Sequence, residues 1–166
     1  MDSTNLSDLA QEYANLKGLT LGAQLGCGVQ DTVFNAKNNT DRGRSAIKVH
    51  EREPAYLRER DVYRRLSEFG ITTIRGCHVP ELIAFDDERR VIEMTVVARP
   101  FVLDFGSAYL DYPPDFSDEV LADWRVEKQE QFEARWPEVQ AILRFLEGYG
   151  IFMVDVHPGN ISFGED

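Results

Sequence analysis

Cysteine is scarce in this chain: Cys27 and Cys77 are the two that occur among its 166 residues. Their number and spacing do not suit a disulfide framework or a zinc site. The chain has the length of one domain with a sizeable core. We therefore expect a fold that is stabilised by packing, in the reducing environment of the cytoplasm.

The sequence also lacks long apolar runs, and none approaches the ~18 residues of a membrane-spanning helix. The first residues are acidic and polar, unlike those of a signal peptide. The sequence contains no internal repeat and no low-complexity tract. These absences predict a cytoplasmic protein that does not associate with a membrane.

Basic residues are fewer than acidic ones: the sequence has 18 Lys and Arg residues and 29 Asp and Glu residues, which gives a formal net charge of −11. Such a surface repels the phosphates of nucleic acid, so no nucleic-acid partner is expected. A single nucleotide remains compatible with this charge, since a local lysine and a metal ion can override the net field.

Close to the C-terminal end of the sequence, two short apolar runs flank a polar bend. Ile151–Val154 and Ile161–Phe163 have the length of buried strands, and His157–Gly159 between them is typical of a turn. Asp155 and Asn160 mark the two ends of the bend. Phosphoryl transfer requires a carboxylate that orients a hydroxyl and an amide oxygen that binds magnesium. The structural alternative is a strand–turn–strand with an Asx turn at Asp155.

This segment, 151–163, resembles the catalytic loop of the protein-kinase-like superfamily, His-Arg-Asp-x-x-x-x-Asn. Its Asp-x-His-Pro-Gly-Asn form is similar to the loop of aminoglycoside- and choline-kinase-type small-molecule kinases and of atypical bacterial kinases. Met153 and Val154 occupy the positions of His-Arg, so protein kinases match less well. The resemblance implies ATP and Mg²⁺ as cofactors, with Asp155 as the catalytic residue and Asn160 as the metal ligand.

Leu25–Phe34 resembles the glycine-rich hairpin that covers the nucleotide phosphates in kinases, Gly-x-Gly-x-x-Gly-x-Val. Gly26, Gly28 and Val33 match this pattern, and the resemblance assigns them to the cofactor site. Glycines let a backbone approach phosphate closely, whereas Asp31, at the third glycine position, would repel it. Taken alone, the segment is more simply interpreted as an ordinary β-hairpin.

Ser45–Val49 resembles the Val-Ala-Ile-Lys strand, whose lysine holds the α- and β-phosphates. It follows a polar turn and places Lys48 in an apolar run, at the family's distance from Val33. An edge-strand lysine that extends to water is the structural alternative. Given the glycines before it, we favour Lys48 as a phosphate ligand.

A charged helix is predicted from about Ala55 to Phe69. Glu59 lies near its apolar stripe, and the resemblance makes this residue the partner of Lys48. The interval between Lys48 and Glu59 is shorter than in many kinases, which leaves Glu51 and Glu53 as poorer alternatives.

Two further strands, Glu81–Phe85 and Arg90–Val97, complete a predicted five-stranded antiparallel sheet. An amphipathic helix around residues 136–146 precedes the 151–163 segment, as it does in kinases. The order of the elements resembles the kinase fold over almost the whole chain. We therefore predict an α+β, protein-kinase-like fold, with a five-stranded antiparallel N-lobe and a reduced, mainly helical C-lobe that ends at a catalytic-loop hairpin.

The predicted N-lobe spans residues 1–99 and begins with an amphipathic helix at 3–17. The predicted C-lobe is truncated, spans residues 100–166 and carries the catalytic-loop-like segment 151–163.

The family's metal-binding Asp-Phe-Gly would lie about a dozen residues beyond Asn160, past the last residue of the sequence. Asp104–Gly106 has the right residues but precedes the loop, and we interpret it as a turn that packs under the lobe. Asp104, Glu165 and Asp166 remain open as substitutes for the expected metal ligand.

Two functional hypotheses follow from the resemblance. The first is an ATP-dependent phosphotransferase with weak or no activity in the isolated chain, because one metal ligand is missing and Asp31 opposes phosphate. The alternative is a pseudokinase-type binding module that acts through a protein partner or as part of a split kinase. A shortened C-lobe leaves apolar helix faces without neighbours, which favours a protein partner or a homo-oligomer at that lobe.

Overall fold

The computed structural model describes residues 3–28, 30–41 and 43–164. The helices are α1 (Ser3–Lys17), α2 (Glu53–Glu68), α3 (Asp118–Phe132) and α4 (Trp136–Glu147), and a 3₁₀ turn at Glu133–Arg135 joins the last two. The strands are β1 (Leu19–Cys27), β2 (Asp31–Asn38), β3 (Arg44–His50), β4 (Thr73–Ile74), β5 (Cys77–His78), β6 (Leu82–Asp86), β7 (Val91–Met94), β8 (Phe101–Val102), β9 (Tyr109–Leu110), β10 (Ile151–Phe152) and β11 (Ile161–Ser162). None of the helices in the described ranges is long and apolar enough to cross a membrane.

The described residues divide into two compact units. The first lies within Met1–Gly70 and Pro80–Val96, and the second lies within Ile71–Val79 and Val97–Asp166. The short segment Ile71–Val79 belongs to the second unit because its strand β5 pairs with β8.

The first unit is built on a five-stranded antiparallel sheet with the strand order β1-β2-β3-β7-β6. The prediction of an α+β protein with a five-stranded antiparallel sheet is therefore confirmed. Strand β3 is the middle strand, and its Lys48 lies opposite Val33 of β2 and Ile92 of β7.

Helix α1 covers one face of this sheet. The shared core consists of Leu6, Ala10, Tyr13, Ala14, Leu19, Phe34, Ala36, Ile47, Val49 and Val91. Successive side chains of a strand alternate between faces, so Lys48 and His50 lie on the opposite face of β3. The buried carboxylate of Glu93 ties α1 to the sheet, because it accepts hydrogen bonds from Tyr13 Oη at 2.7 Å and from Ser45 Oγ at 2.9 Å. Burial and this hydrogen bond raise the pKa of Tyr13.

Helix α2 begins after Arg52, and Pro54 stands in its first turn, where a missing backbone N–H has no cost. Its buried residues are Ala55, Tyr56, Glu59, Val62, Tyr63 and Leu66. Intervals of three and four residues place all of them on one stripe of the helix. Glu59 is thus an acidic residue on a face that is otherwise apolar and aromatic, and such a carboxylate needs compensating partners.

The second unit consists of α3, α4 and short strands. Ser117 caps α3 by accepting a hydrogen bond from the backbone N–H of Val120 at 3.2 Å. The ring of Trp136, at the start of α4, meets the rings of Trp124 and Phe132 with centroid separations of 6.2 Å. These ring contacts hold the two helices together.

Strands β10 and β11 do not pair with each other. The prediction of a catalytic-loop hairpin is therefore wrong. Ile151 of β10 lies opposite Leu110 of β9, and Ile161 of β11 lies opposite Val102 of β8. The physical reason is the length of the connection between β10 and β11, which exceeds the roughly two to five residues of a hairpin loop. Each strand instead pairs with a strand from earlier in the chain.

Candidate functional site: a buried lysine cluster and a polar bend

The turn between β1 and β2 contains two of the predicted site glycines. Gly26 lies opposite Val33 in the hairpin, and the backbone N–H of Gly28 donates to the Asp31 carbonyl oxygen at 2.9 Å. A Cβ atom on Gly28 would lie 3.0 Å from Asp31 Oδ1. The side chain of Asp31 therefore folds against the bare backbone of this turn, which puts a carboxylate where the glycine pattern predicts a phosphate.

Lys48 is buried, with 4% of its surface exposed. Its ammonium nitrogen lies 2.9 Å from Glu59 Oε1 and 3.6 Å from Asp31 Oδ2. The predicted contact between Lys48 and Glu59 is thus present, whereas Glu53 is an exposed residue in the first turn of α2. The alternative of an edge-strand lysine is wrong, since β3 is the middle strand of the sheet. Binding of a nucleotide by this lysine remains a prediction.

Glu59 is fully buried, and each of its carboxylate oxygens meets a nitrogen-bearing side chain. Oε1 accepts from Lys48, and Oε2 lies 2.8 Å from Nε2 of His50. Burial alone would raise the pKa of Glu59, but the charge of Lys48 and the hydrogen bond from His50 outweigh it and lower that pKa to about 2. The carboxylate is therefore ionised inside the protein at any physiological pH.

His50 is the site residue that the sequence analysis missed. Only 1% of its surface is exposed, and its ring also packs edge-on against Tyr56 at a centroid separation of 5.6 Å. A signal was present in the sequence, because His50 follows Lys48 by two residues and so lies on the same face of the strand. We refer to Asp31, Lys48, His50 and Glu59 as the Lys48 cluster.

Apolar side chains also lie on the same face of the sheet as Lys48. Val33 lies opposite Lys48, and two residues along β3 the buried Ala46 lies opposite the buried Met94. The same face carries Asn35, whose buried Oδ1 has no hydrogen-bond partner among the described residues. A cation beside apolar surface and an unsatisfied polar atom suits a ligand with an aromatic body and an anionic tail.

Asn160 holds the polar bend between β10 and β11. Its buried side chain donates through Nδ2 to the Asp155 carbonyl oxygen at 2.9 Å and to Asp155 Oδ2 at 3.4 Å. The backbone N–H groups of Asn160 and Ile161 both donate to the carbonyl oxygen of His157, which closes the turn. The backbone of the bend is therefore fixed by Asn160.

The Asp155 side chain is 51% exposed, and its Oδ1 lies 3.8 Å from Nε2 of His157. Both hydrogen bonds of the Asn160 side chain come from its Nδ2 atom, so Asn160 Oδ1 accepts none within the described ranges. A carboxylate and an amide oxygen at this bend fit Mg²⁺, which takes few protein ligands and keeps several waters. Within the described part of the chain, the bend included, no group of three or more His, Cys, Asp or Glu side chains is placed to hold a metal ion.

The Asp104–Gly106 segment forms a turn. Asp104 has a φ of 70°, the Phe105 side chain is fully buried, and the backbone N–H of Ala108 donates to the Phe105 carbonyl oxygen at 3.0 Å. Glu165 and Asp166, the other two suggested metal ligands, lie outside the described residues.

A groove of about 590 Å³ lies within the second unit. Its lining comes mainly from α3, α4 and β10 and includes Trp124, Trp136, Leu143, Phe152 and Val154. The volume is in the range of small-molecule pockets, and the lining is largely apolar. This groove was not predicted from the sequence, because its walls depend on how α3, α4 and β10 pack.

The predicted site residues thus fall into two groups: Gly26, Gly28, Val33, Lys48 and Glu59 lie in the first unit, and Asp155 and Asn160 lie in the second. The geometry of each group carries the functional argument by itself. No protein-family model matches this chain, and a search of curated proteins finds no match.

Proposed function

We propose that this chain is a kinase-like protein that binds the phosphates of ATP through Lys48. The observation that carries the proposal is the buried ion pair between Lys48, on the middle strand, and Glu59, on α2, beside the glycine turn of Gly26 and Gly28. A cation that is already oriented and partly desolvated attracts phosphate more strongly than a mobile surface lysine does. The apolar surface around Val33 supplies a place for the adenine ring.

The same cluster implies weak binding. Asp31 lies 3.6 Å from the ammonium group of Lys48, so a phosphate must displace this carboxylate or lie next to it. Two like charges about 4 Å apart repel by ~4 kcal/mol at an effective dielectric constant of 20. We therefore propose low affinity for ATP and slow phosphoryl transfer.

In the second unit, we propose that Asp155 orients the hydroxyl group of the phosphate acceptor and that Asn160 Oδ1 holds Mg²⁺. The exposed carboxylate of Asp155 can reach an acceptor, while Asn160 keeps the backbone of the bend in place. Mg²⁺, when bound, neutralises charge on the phosphate oxygens.

The test of the binding proposal is the thermal shift that ATP and Mg²⁺ produce in the wild type, Lys48→Met and Lys37→Met. Lys37 is an exposed lysine of β2, so its replacement removes the same charge outside the cluster. A ligand that binds the native state raises its Tm by mass action. We expect equal shifts for the wild type and Lys37→Met and no shift for Lys48→Met. Each variant is compared with its own ligand-free state, because the loss of Lys48 also lowers stability.

An equal ATP-induced shift in Lys48→Met would refute the proposed phosphate site. Asp31→Asn sharpens the test, since removal of the opposing carboxylate should strengthen ATP binding, while Asp41→Asn in the exposed β2–β3 turn should leave it unchanged.

The transfer step is tested by phosphate release and acceptor labelling from radiolabelled ATP, with Asp155→Asn as the comparison. We expect a slow signal in the wild type that Asp155→Asn abolishes. Rapid multiple turnover by the wild type would contradict the inhibitory effect that we assign to Asp31.

The alternative proposal is a pseudokinase-type binding module, and the groove of the second unit favours it. Phe116 and Val120 line this groove and are 40% and 51% exposed. If a second copy of the chain covers the groove, Val120→Glu should convert a dimer to a monomer in analytical ultracentrifugation. Val126→Glu is the matched control, because Val126 is an exposed valine of α3 outside the groove lining.

A further inference from the structure

His50 provides the further inference, which rests on the proposed phosphate-binding function. Both of its ring nitrogens face oxygen acceptors: Nε2 is 2.8 Å from Glu59 Oε2, and Nδ1 is 3.4 Å from the Arg90 carbonyl oxygen. A neutral imidazole donates from one nitrogen only, whereas an imidazolium donates from both. The Glu59 carboxylate and the Arg90 carbonyl oxygen are both acceptors, so only a ring that carries both protons can donate to each of them.

The groups that face His50 come from several elements packed around it. They are Glu59 and Tyr56 of α2, Asp31 opposite His50 on β2, Lys48 on the same strand, and Arg90, whose Nε donates to the His50 carbonyl oxygen at 3.0 Å. Within the Lys48 cluster, the two carboxylates are balanced by two cations only when the imidazole is protonated. With a neutral imidazole, the four residues of the cluster contain one cation, Lys48, and two carboxylates, Glu59 and Asp31.

We propose that His50 is a positioning residue for phosphate binding: its imidazolium neutralises Glu59, so that the charge of Lys48 is available to a phosphate group. A phosphate brings a further negative charge into the cluster. A second cation therefore stabilises the cluster most when phosphate is bound. By linkage, phosphate binding and proton binding at His50 strengthen one another. Phosphate affinity is therefore higher when the His50 ring carries both protons than when it carries one.

The probe is inorganic tripolyphosphate, which lacks a base and a sugar and so reports on the cluster alone. Its affinity is measured by calorimetry without metal between about pH 5.5 and about pH 8.5, which spans the ordinary titration of imidazole. His50→Gln keeps an amide donor for Glu59 but cannot take up a proton. His78→Gln is the matched control, since His78 is an exposed histidine of the second unit, and Lys48→Met tests the site itself.

Across this pH range, we expect the tripolyphosphate affinity of the wild type and of His78→Gln to fall about tenfold more than that of His50→Gln. A tenfold difference is the effect of one proton whose pKa changes by one when the ligand binds. The titration of the probe itself is common to all variants and cancels in this ratio. A His50→Gln profile parallel to that of the wild type, with binding lost in Lys48→Met, overturns the role of His50 and leaves the phosphate site standing. Absence of tripolyphosphate binding by the wild type at every pH overturns both.

A substitution at a buried position can unfold the chain, so a second measurement uses the unsubstituted protein. Nitrogen NMR of the histidine side chains records whether one or both ring nitrogens of His50 carry a proton. We expect both to be protonated in the tripolyphosphate complex at about neutral pH, where a free imidazole is mostly neutral. A singly protonated His50 ring in that complex overturns the proposal.

Discussion

The Lys48 cluster and the Asp155–Asn160 bend hold their carboxylates in opposite ways. Glu59 is fully buried, and each of its oxygens meets the side chain of Lys48 or His50. Asp155 is 51% exposed, and the bend holds it chiefly through its backbone carbonyl oxygen, which accepts from Asn160. One carboxylate thus depends on its partners, whereas the other faces solvent from a fixed backbone.

Because of this difference, substitutions at the two sites should affect stability and function to different degrees. A buried charge costs several kcal/mol unless it is paired, so the loss of one member of the Lys48 cluster weakens the fold as well as the proposed phosphate site. An exposed charge contributes roughly 0–1 kcal/mol, so changes at Asp155 should affect chemistry almost alone.

The largest effect is expected for Glu59→Ala. It leaves the buried Lys48 and His50 without their shared counter-charge, and loss of one partner of a buried ion pair typically costs ~3–5 kcal/mol. Chemical denaturation measures the free energy of unfolding of the variant and the wild type. Glu53→Ala is the control, because Glu53 is exposed on the same helix. Equal stability of the two variants would mean that the buried pairing of Glu59 does not contribute to the fold.

Acid should lower the free energy of unfolding of the wild type by a comparable amount. The pKa of Glu59 is lowered from 4.5 to about 2 in the folded chain, so its contribution to stability is present above pH 4.5 and is lost as the pH falls toward 2. This change corresponds to on the order of 3 kcal/mol. Denaturation as a function of pH should show this component in the wild type and not in Glu59→Gln. If both lose stability in parallel over that range, other carboxylates govern acid unfolding.

An intermediate effect is expected for Asn160→Ala. This change removes the hydrogen bond from the buried Asn160 side chain to the Asp155 carbonyl oxygen, and a typical intramolecular hydrogen bond contributes about 1 kcal/mol. The free energy of unfolding should fall by that amount, whereas Asn15→Ala on the exposed face of α1 should change it by less than ~0.5 kcal/mol. A loss as small as that of the control would show that the backbone of the bend does not depend on Asn160.

The smallest effect on stability is expected for Asp155→Asn. The side chain is half exposed and Asn is almost isosteric, so the free energy of unfolding should stay within ~0.5 kcal/mol of the wild type. Thermal and chemical denaturation measure this directly. A larger loss would remove the contrast between the bend and the Lys48 cluster.

Local sequence patterns predicted most elements of the first unit. The predicted helix at 55–69 corresponds to α2 at Glu53–Glu68, and the strands predicted at Glu81–Phe85 and Arg90–Val97 correspond to β6 and β7. These predictions succeeded because helical and strand periodicities are properties of neighbouring residues. The spacing of apolar residues also placed Glu59 near the buried stripe of its helix.

Pairing in the second unit could not be predicted in the same way. The strands β10 and β11 are two residues long and pair with β9 and β8 rather than with each other. Nothing in a short apolar run specifies its partner, since any extended segment offers the same backbone donors and acceptors. The groove lined by Trp124 and Trp136 was missed for a related reason, because it depends on how α3 and α4 pack.

The sequence by itself determined that an extended apolar segment carries Lys48 and His50 on one face, and that a helix presents Glu59 among its buried residues, because both facts follow from local periodicity. Only the tertiary structure decided that these residues meet, that His50 is a partner of Glu59, and that Asp31 lies within 3.6 Å of Lys48. Such contacts depend on the packing of α2 against β3 and on the shape of the β1–β2 turn, and burial then makes each charge depend on the others.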